Sequence, residues 1–228
     1  MNKPSVMMRA SYLQLRKHLW IFLIIIAVNT LVSVIVSLSM GKGENTHVSI
    51  ANIFTLLLVV VGTVLPGNFF KRMINLGATR KEYYVGILCV YSLLAAAFAV
   101  INIVWFQVEI GIIHLYEQTF NILEIFHWNQ FGLVGMFIYQ FGAYLLVLSL
   151  FTLLISGSRH VVGWVIWVFL IAAIPIFTSI APLRAILTDG LLILLFNDSL
   201  LQGFGLTFVI SCICLYGGWW FTKKRTLS

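Results

Sequence analysis

The feature that most constrains this chain is the repetition of long apolar runs, separated by short basic or polar segments. A helix needs about 20 mainly apolar residues to cross the hydrocarbon core of a membrane. Six runs have about that length, at 19–39, 48–70, 83–106, 131–155, 161–180 and 201–221. Only 9% of the residues are charged, whereas soluble domains carry about 25%. The sequence therefore predicts an all-α integral membrane protein, with six transmembrane helices in one domain over 1–228.

The positions of the basic residues predict how the spans are oriented, because Lys and Arg accumulate in cytoplasmic loops. If the N-terminus lies inside, then of the 14 basic residues only Lys42 and Arg184 fall outside. The predicted topology therefore places both termini in the cytoplasm. The net charge of +7 is interpreted as this topology signal and as attraction to the anionic lipid bilayer, with no nucleic-acid partner.

The first 18 residues predict a helix that lies in the inner interface of the membrane and leads into the first span. One helical stripe, with spacings of four, three and four residues, holds Met8, Tyr12, Leu15 and Leu19. Basic residues flank this stripe. The alternative is an unstructured basic tail that only enforces topology.

The inner segment between spans two and three carries more local signals than topology alone requires. Pro66-Gly67 is expected to disturb the end of span two, because proline lacks a backbone N–H. The next residues predict a short helix over 69–76, with one side formed by Phe69, Met73 and Leu76.

Signals for a turn and for a new helix follow directly. Gly77 suits the left-handed residue that ends many helices. Thr79 and Glu82 are three residues apart, which is the spacing of a capping box at a helix N-terminus. The segment 69–82 therefore predicts a short helix, a sharp turn and a capped start to span three.

The second outer segment, 107–130, is acidic and contains two histidines. Its titratable residues are Glu109, His114, Glu117, Glu124 and His127. A metal site is one interpretation, but no His-x-x-x-His or paired-cysteine spacing supports it. The prediction is a solvated acidic rim.

The last outer segment, 182–200, contains two apolar half-runs separated by Asp189-Gly190. Each half-run is too short to cross a membrane. The segment predicts two short helices that re-enter the outer leaflet, which is tolerated where protein covers the backbone. The alternative is an ordinary outer loop that lies on the membrane.

The predicted spans contain no Asp, Glu, Lys or Arg. Ion-coupled transporters and membrane enzymes normally place ionisable groups there, so both classes are disfavoured. The chain also lacks a Walker nucleotide motif, so any ATP would be bound by another subunit. The neutral polar residues of the spans either line a substrate path or bond neighbouring helices; these are Asn29, Ser33, Asn52, Thr55 and Gln140.

The assembled pattern resembles the membrane subunit of ABC-2-type exporters over the whole chain. The most specific local match is LGATRKEYY at 76–84, which is similar to a Gly-x-Thr-Arg-Lys stretch in small bacterial permeases of this kind. The resemblance implies that 69–82 is a coupling helix that docks on a cytoplasmic ABC ATPase, and that 156–160 makes a smaller second contact. The implied coupling residues are Lys71, Arg72, Met73, Leu76, Gly77, Thr79, Arg80, Lys81, Glu82 and Arg159.

The resemblance also implies the remaining parts of the system. Two permease chains, identical or related, would pair, and ATP and Mg would be held by the ATPase partner rather than by this chain. The cargo would be amphipathic or hydrophobic, such as a peptide, a drug or a lipid-linked molecule, exported across a bacterial plasma membrane. This subunit itself would not be an enzyme. The alternative function is a non-transporting membrane immunity, sensor or assembly protein, which would need no ATPase.

Overall fold

The computed structural model describes residues 10, 12–13, 15–28, 32, 46–111 and 118–225, and these are mainly helical. The helices are α1 (15–28), α2 (Ile53–Val64), α3 (Phe70–Asn75), α4 (Arg80–Gly111), α5 (Ile122–Ile125), α6 (Gly132–Gly157), α7 (Val161–Ser179), α8 (Ala181–Leu195) and α9 (Leu200–Lys224). Short 3₁₀ turns cover Ile50–Asn52 and Trp128–Phe131, and a π-helical turn covers Leu65–Phe69. Two strands, β1 (Thr46–Val48) and β2 (Gln118–Phe120), pair in parallel.

Five helical stretches of the described residues are long and apolar enough to cross a membrane. They are Ile50–Asn75, Arg80–Gly111, Trp128–Gly157, Val161–Ser179 and Leu200–Lys224. These stretches correspond to predicted spans two to six, and they indicate a multi-pass helical membrane protein. The first predicted span is helical at 19–28 and at 32, while most of its remainder, together with Met8 of the N-terminal stripe, lies outside the described residues. The first predicted span, and with it the total of six, stays a prediction, as does the orientation.

Helix α6 lies at the centre of the bundle and packs against α2, α4 and α9. Small and hydroxyl-bearing residues let α9 approach it closely, as is common between membrane helices. A stripe of such residues along the buried face of α9 holds Gly203, Thr207, Ser211, Cys214 and Gly218. A Cβ atom at Gly203 would lie 2.0 Å from the Tyr139 hydroxyl of α6. The α6–α9 contact therefore depends on glycine at this position.

The two segments that precede α2 and α5, both predicted to lie outside, are tied together. The strands β1 and β2 pair with Thr46 opposite Gln118. The Asn52 side chain donates to the Phe120 carbonyl at 2.9 Å and accepts from the Ile122 backbone N–H at 2.9 Å. No strand was predicted here, because three-residue strands leave too short a pattern to recognise.

Helix α4 extends beyond the predicted span 83–106 and carries Glu109 into the folded interior. Glu109 is only 1% exposed. Its carboxylate accepts hydrogen bonds from Trp105 Nε1 at 2.9 Å and from Asn121 Nδ2 at 2.8 Å. The prediction that Glu109 belongs to a solvated rim is therefore wrong. Glu109 lies three residues beyond the predicted span, on the same continuous helix. Glu117 and His114 lie outside the described residues.

The segment 181–195 forms one continuous helix, so the predicted break at Asp189-Gly190 is wrong. A single glycine costs a helix interior about 1 kcal/mol, which the surrounding turns can absorb. Helix α8 has 15 residues, or about 22 Å, and is too short to cross a membrane. Two carbonyls at its C-terminal end accept from the Tyr139 hydroxyl (2.9 Å) and Trp128 Nε1 (2.8 Å). These aromatic donors attach α8 to the N-terminal end of α6, while its depth in the membrane stays a prediction.

Candidate functional site: the inner hinges and the end of the last helix

The first hinge, predicted to lie on the inner side, starts inside the α2 helix rather than after it. Pro66 lies in the π-helical turn that continues α2 into α3, so the predicted disturbance takes the form of a wider turn instead of a break. Phe69 and Met73 are 1% and 4% exposed and anchor the hinge to the bundle. Leu76 is 71% exposed and does not share their side as predicted. It is the C-cap residue of α3, with φ −83° and ψ 6°.

Gly77 ends the short helix in the predicted conformation. Its φ of 86° is left-handed, a region open to glycine at little cost. The Gly77 N–H donates to the Ile74 carbonyl at 2.9 Å, and the Ala78 N–H donates to the Met73 carbonyl at 3.1 Å. This pair of bonds is the Schellman pattern, which satisfies two orphan carbonyls of α3. The hinge therefore has a defined turn.

The capping box at the start of α4 is confirmed. The Thr79 backbone N–H donates to Glu82 Oε2 at 2.9 Å, and the Glu82 backbone N–H donates to Thr79 Oγ1 at 3.2 Å. Each side chain satisfies one backbone donor that the helix N-terminus leaves free. The negative charge of Glu82 also lies favourably in the first turn of the helix. The turn and the cap together hold 76–80 in one geometry.

Most of the predicted coupling residues lie at the surface of this hinge. Only Met73 is buried, so it anchors the hinge and cannot contact a partner. Arg80 and Glu82 are partly exposed. The exposed residues are Lys71, Arg72, Leu76, Gly77, Thr79, Lys81 and, in the second hinge, Arg159. The first hinge thus presents an apolar tip, Leu76, among basic side chains.

The second inner hinge is as tight as predicted. A Cβ atom at Gly163 in α7 would lie 1.9 Å from the carbonyl oxygen of Gly157 in α6, so the two backbones touch. The Ser158 hydroxyl donates to the Ile155 carbonyl at 2.8 Å. The connection between α6 and α7 is therefore compact, and it leaves the Arg159 side chain exposed.

Both hinges contact the end of α9. Arg80 of the first hinge donates through Nη1 to the Lys223 carbonyl. His160 of the second hinge stacks on Phe221 with ring centroids 5.5 Å apart, and its Nε2 lies 3.3 Å from the Phe221 carbonyl oxygen. The last turns of α9 therefore lie between the two hinges and bond to each.

Arg225, just after α9, makes the most specific of these contacts. It is 3% exposed, and its Nη1 and Nη2 donate to the carbonyls of Pro66 (2.5 Å) and Gly67 (3.1 Å) in the π-helical turn. The guanidinium also lies 4.5 Å from the centre of the Phe70 ring. Burial lowers the pKa of Arg225, and the nearby Arg159 charge lowers it further. These contacts tie the end of α9 to the π-helical turn of the first hinge.

Sequence reasoning missed this role of Arg225. A basic residue after an apolar run looks the same whether it enforces topology or binds a distant carbonyl. Its contact partners are 158 and 159 residues away in the chain. The sequence carries no local signal that could have identified it.

The polar residues predicted inside the spans do not all come together. Asn29 and Ser33 lie outside the described residues, and Asn52 ties the outer segments. Thr55 and Gln140 do meet, beside the hydroxyl of Tyr144, to which Gln140 Nε2 donates at 2.7 Å.

This interior polar cluster joins three helices. Asn102 of α4 was not singled out from the sequence, but its side chain also lies beside the Tyr144 hydroxyl of α6. Asn102 and Gln140 are fully buried. The cluster therefore packs between α2, α4 and α6.

Comparison of the chain with protein-family models, with curated proteins and with solved structures gives no match. The function is therefore argued from the geometry of the hinges.

Proposed function

We propose that this chain is the permease subunit of an ATP-driven exporter that moves an amphipathic or hydrophobic cargo out across a bacterial plasma membrane. A separate cytoplasmic ABC ATPase binds and hydrolyses ATP with Mg, and a second permease chain completes the transport path. This assignment rests on the resemblance of the 76–84 stretch and on the conformation of the same stretch.

The observation that carries the proposal is the defined, outward-facing first hinge. A loop that served only topology would need basic charge, but not a Schellman turn followed directly by a capping box. Here both motifs fix the backbone around Leu76, whose side chain is 71% exposed. An apolar residue held outward among cations suits insertion into a groove with an acidic rim on another protein.

The position of the hinges supports the same proposal. Each hinge bonds to the end of α9, so a force applied to one of them can reach the other through that helix. The α9 helix packs closely on α6 at the centre of the bundle. Movement of a docked ATPase would therefore be transmitted to the spans through packed helices rather than through a flexible loop.

The test is purification of the tagged protein from its native membrane in mild detergent, followed by mass spectrometry. We expect a soluble ATPase with nucleotide-binding motifs in roughly equal amount. Lys71→Glu combined with Lys81→Glu should release it, because both side chains are exposed on the hinge. Arg184→Glu, a reversal of an exposed charge on α8, should retain it. Recovery of the chain without any ATPase would favour the non-transporting alternative.

Arg80 is a poor choice for this charge reversal, even though it belongs to the motif. Its guanidinium bonds to the Lys223 carbonyl, so Arg80→Glu would disturb the contact with α9 as well as the surface charge. The Lys71→Glu, Lys81→Glu double variant changes the surface charge of the hinge but keeps the bond between Arg80 and α9. Normal expression and melting temperature of the double variant would show that the spans remain folded.

A further inference from the structure

A groove of about 320 Å³ lies between the N-terminal helical segment and the helices α2 and α4. Its first wall follows one face of that segment from Tyr12 through Arg16 to Ile26. The opposite wall includes Phe54 of α2 and Phe98 of α4. Its volume falls at the lower end of the range of small-ligand sites, about 300–1,000 Å³.

The groove has a polar end and an apolar end. Among the described residues, Arg16 is the one charged side chain that lines it, and Tyr12 lies one helical turn away on the same face. Ile26 is ten residues further along, or about 15 Å at the rise of an α-helix. The remaining lining residues are apolar, apart from the indole N–H of Trp20. The groove thus matches a molecule with an anionic head and a hydrocarbon tail.

The aromatic residues place the polar end near a membrane surface. Tyr12 and Trp20 are 58% and 59% exposed, and such exposed Tyr and Trp side chains concentrate where hydrocarbon meets headgroups. An exposed arginine between them can reach a lipid phosphate, which it binds well because its donors are planar and forked.

We propose that this groove binds one anionic phospholipid, with its phosphate at Arg16 and one acyl chain extended toward Ile26 and Phe54. A free phosphate would use only Arg16 and leave the apolar walls unoccupied. The proposal is independent of the exporter function, since it involves neither the hinges nor an ATPase.

The test is native mass spectrometry of the detergent-purified full chain, titrated with phosphatidylglycerol or with phosphatidylcholine of the same acyl chains. We expect the wild type to prefer phosphatidylglycerol. Arg16→Gln should weaken phosphatidylglycerol binding about fivefold, the contribution of one basic residue near an anionic lipid, and leave phosphatidylcholine unchanged. Lys17→Gln is the matched control, because Lys17 is the next residue but does not line the groove.

A second pair of variants tests the position of the acyl chain. Leu23→Trp fills the groove from within its first wall and should weaken binding of both lipids. Ile24→Trp is its control, because Ile24 is 58% exposed and lies outside the groove. Circular dichroism and melting curves verify that each variant is folded. If Leu23→Trp does not fold, the comparison of Arg16→Gln with Lys17→Gln still tests the proposal.

Three results would overturn the proposal. Equal affinity of the wild type for the two lipids would show that the charge of the headgroup does not contribute to binding. An equal loss in Lys17→Gln would show diffuse attraction to the basic surface instead of a site at Arg16. Unchanged lipid binding by folded Leu23→Trp would place the acyl chain elsewhere.

Discussion

Replacing Arg225 with alanine should loosen the first inner hinge from the bundle. In the native fold, its guanidinium donates to the carbonyls of Pro66 and Gly67 and lies over the Phe70 ring. Without it, two carbonyl oxygens lose their donor, that of Pro66 in a buried site and that of Gly67 in a partly buried one. The hinge would then keep its own Schellman turn and capping box but lose its bond to the C-terminal end of the chain.

The size of the effect follows from these contacts. Each buried carbonyl left without a donor costs about 1–3 kcal/mol, and loss of the cation–π contact adds about 1 kcal/mol. The substitution also removes a buried guanidinium whose Nε–H has no hydrogen-bond partner among the described residues. Removal of this unpaired donor offsets the loss of stability by about 1–3 kcal/mol. The mid-range values give a net loss of about 3 kcal/mol in unfolding free energy, or roughly 6–12 °C in melting temperature.

The assay combines thermal melting in detergent with hydrogen exchange of the backbone at 66–76. We expect Arg225→Ala to melt earlier and to exchange faster in this segment, with Arg225→Lys intermediate, because lysine keeps the charge but not the forked geometry. Lys223→Ala is the control, because its side chain is exposed and its hinge contact uses the backbone carbonyl. Wild-type melting and exchange in Arg225→Ala would refute this reasoning.

Three further substitutions test other parts of the fold by their melting temperatures. Gly163→Ala should be severely destabilising, by more than about 3 kcal/mol, because its Cβ would lie 1.9 Å from the Gly157 carbonyl oxygen; a mild effect would mean that α6 and α7 separate easily. Gly77→Ala should cost only about 1–2 kcal/mol, since no atom lies within 4 Å of the new Cβ and the left-handed φ is the single penalty. Asn121→Ala should cost about 2–4 kcal/mol, because it removes the cap of α5 and leaves the buried Glu109 carboxylate short of a donor. If Asn121→Ala melts like the wild type, the outer polar network does not stabilise the fold.

The parts of the fold that depend on neighbouring residues could be predicted from the sequence. Five predicted spans correspond to long apolar helices. The Gly77 turn and the Thr79–Glu82 capping box formed as expected, because each requires only residues within a few positions of one another. Local backbone chemistry decides such features almost alone.

The parts that depend on distant contacts could not be predicted. Glu109 looked like a solvent-exposed loop residue because its two donors, Trp105 and Asn121, are neutral and give no charge signal. Arg225 looked like a topology charge because its partners lie at the other end of the chain. The helix over Asp189-Gly190 formed although glycine and aspartate normally favour turns, since propensity is a weak constraint on a long apolar segment.

The most direct test of the central claim, that the first inner hinge docks on an ATPase, is site-specific cross-linking. In a background with the three native cysteines replaced by alanine, a cysteine at Leu76 in the hinge is compared with one at Leu191 in α8, which is also well exposed. The account predicts a cross-link between this chain and the co-purified ATPase from position 76 and none from position 191. An ATPase that co-purifies but cross-links equally from both positions, or only from 191, would contradict it.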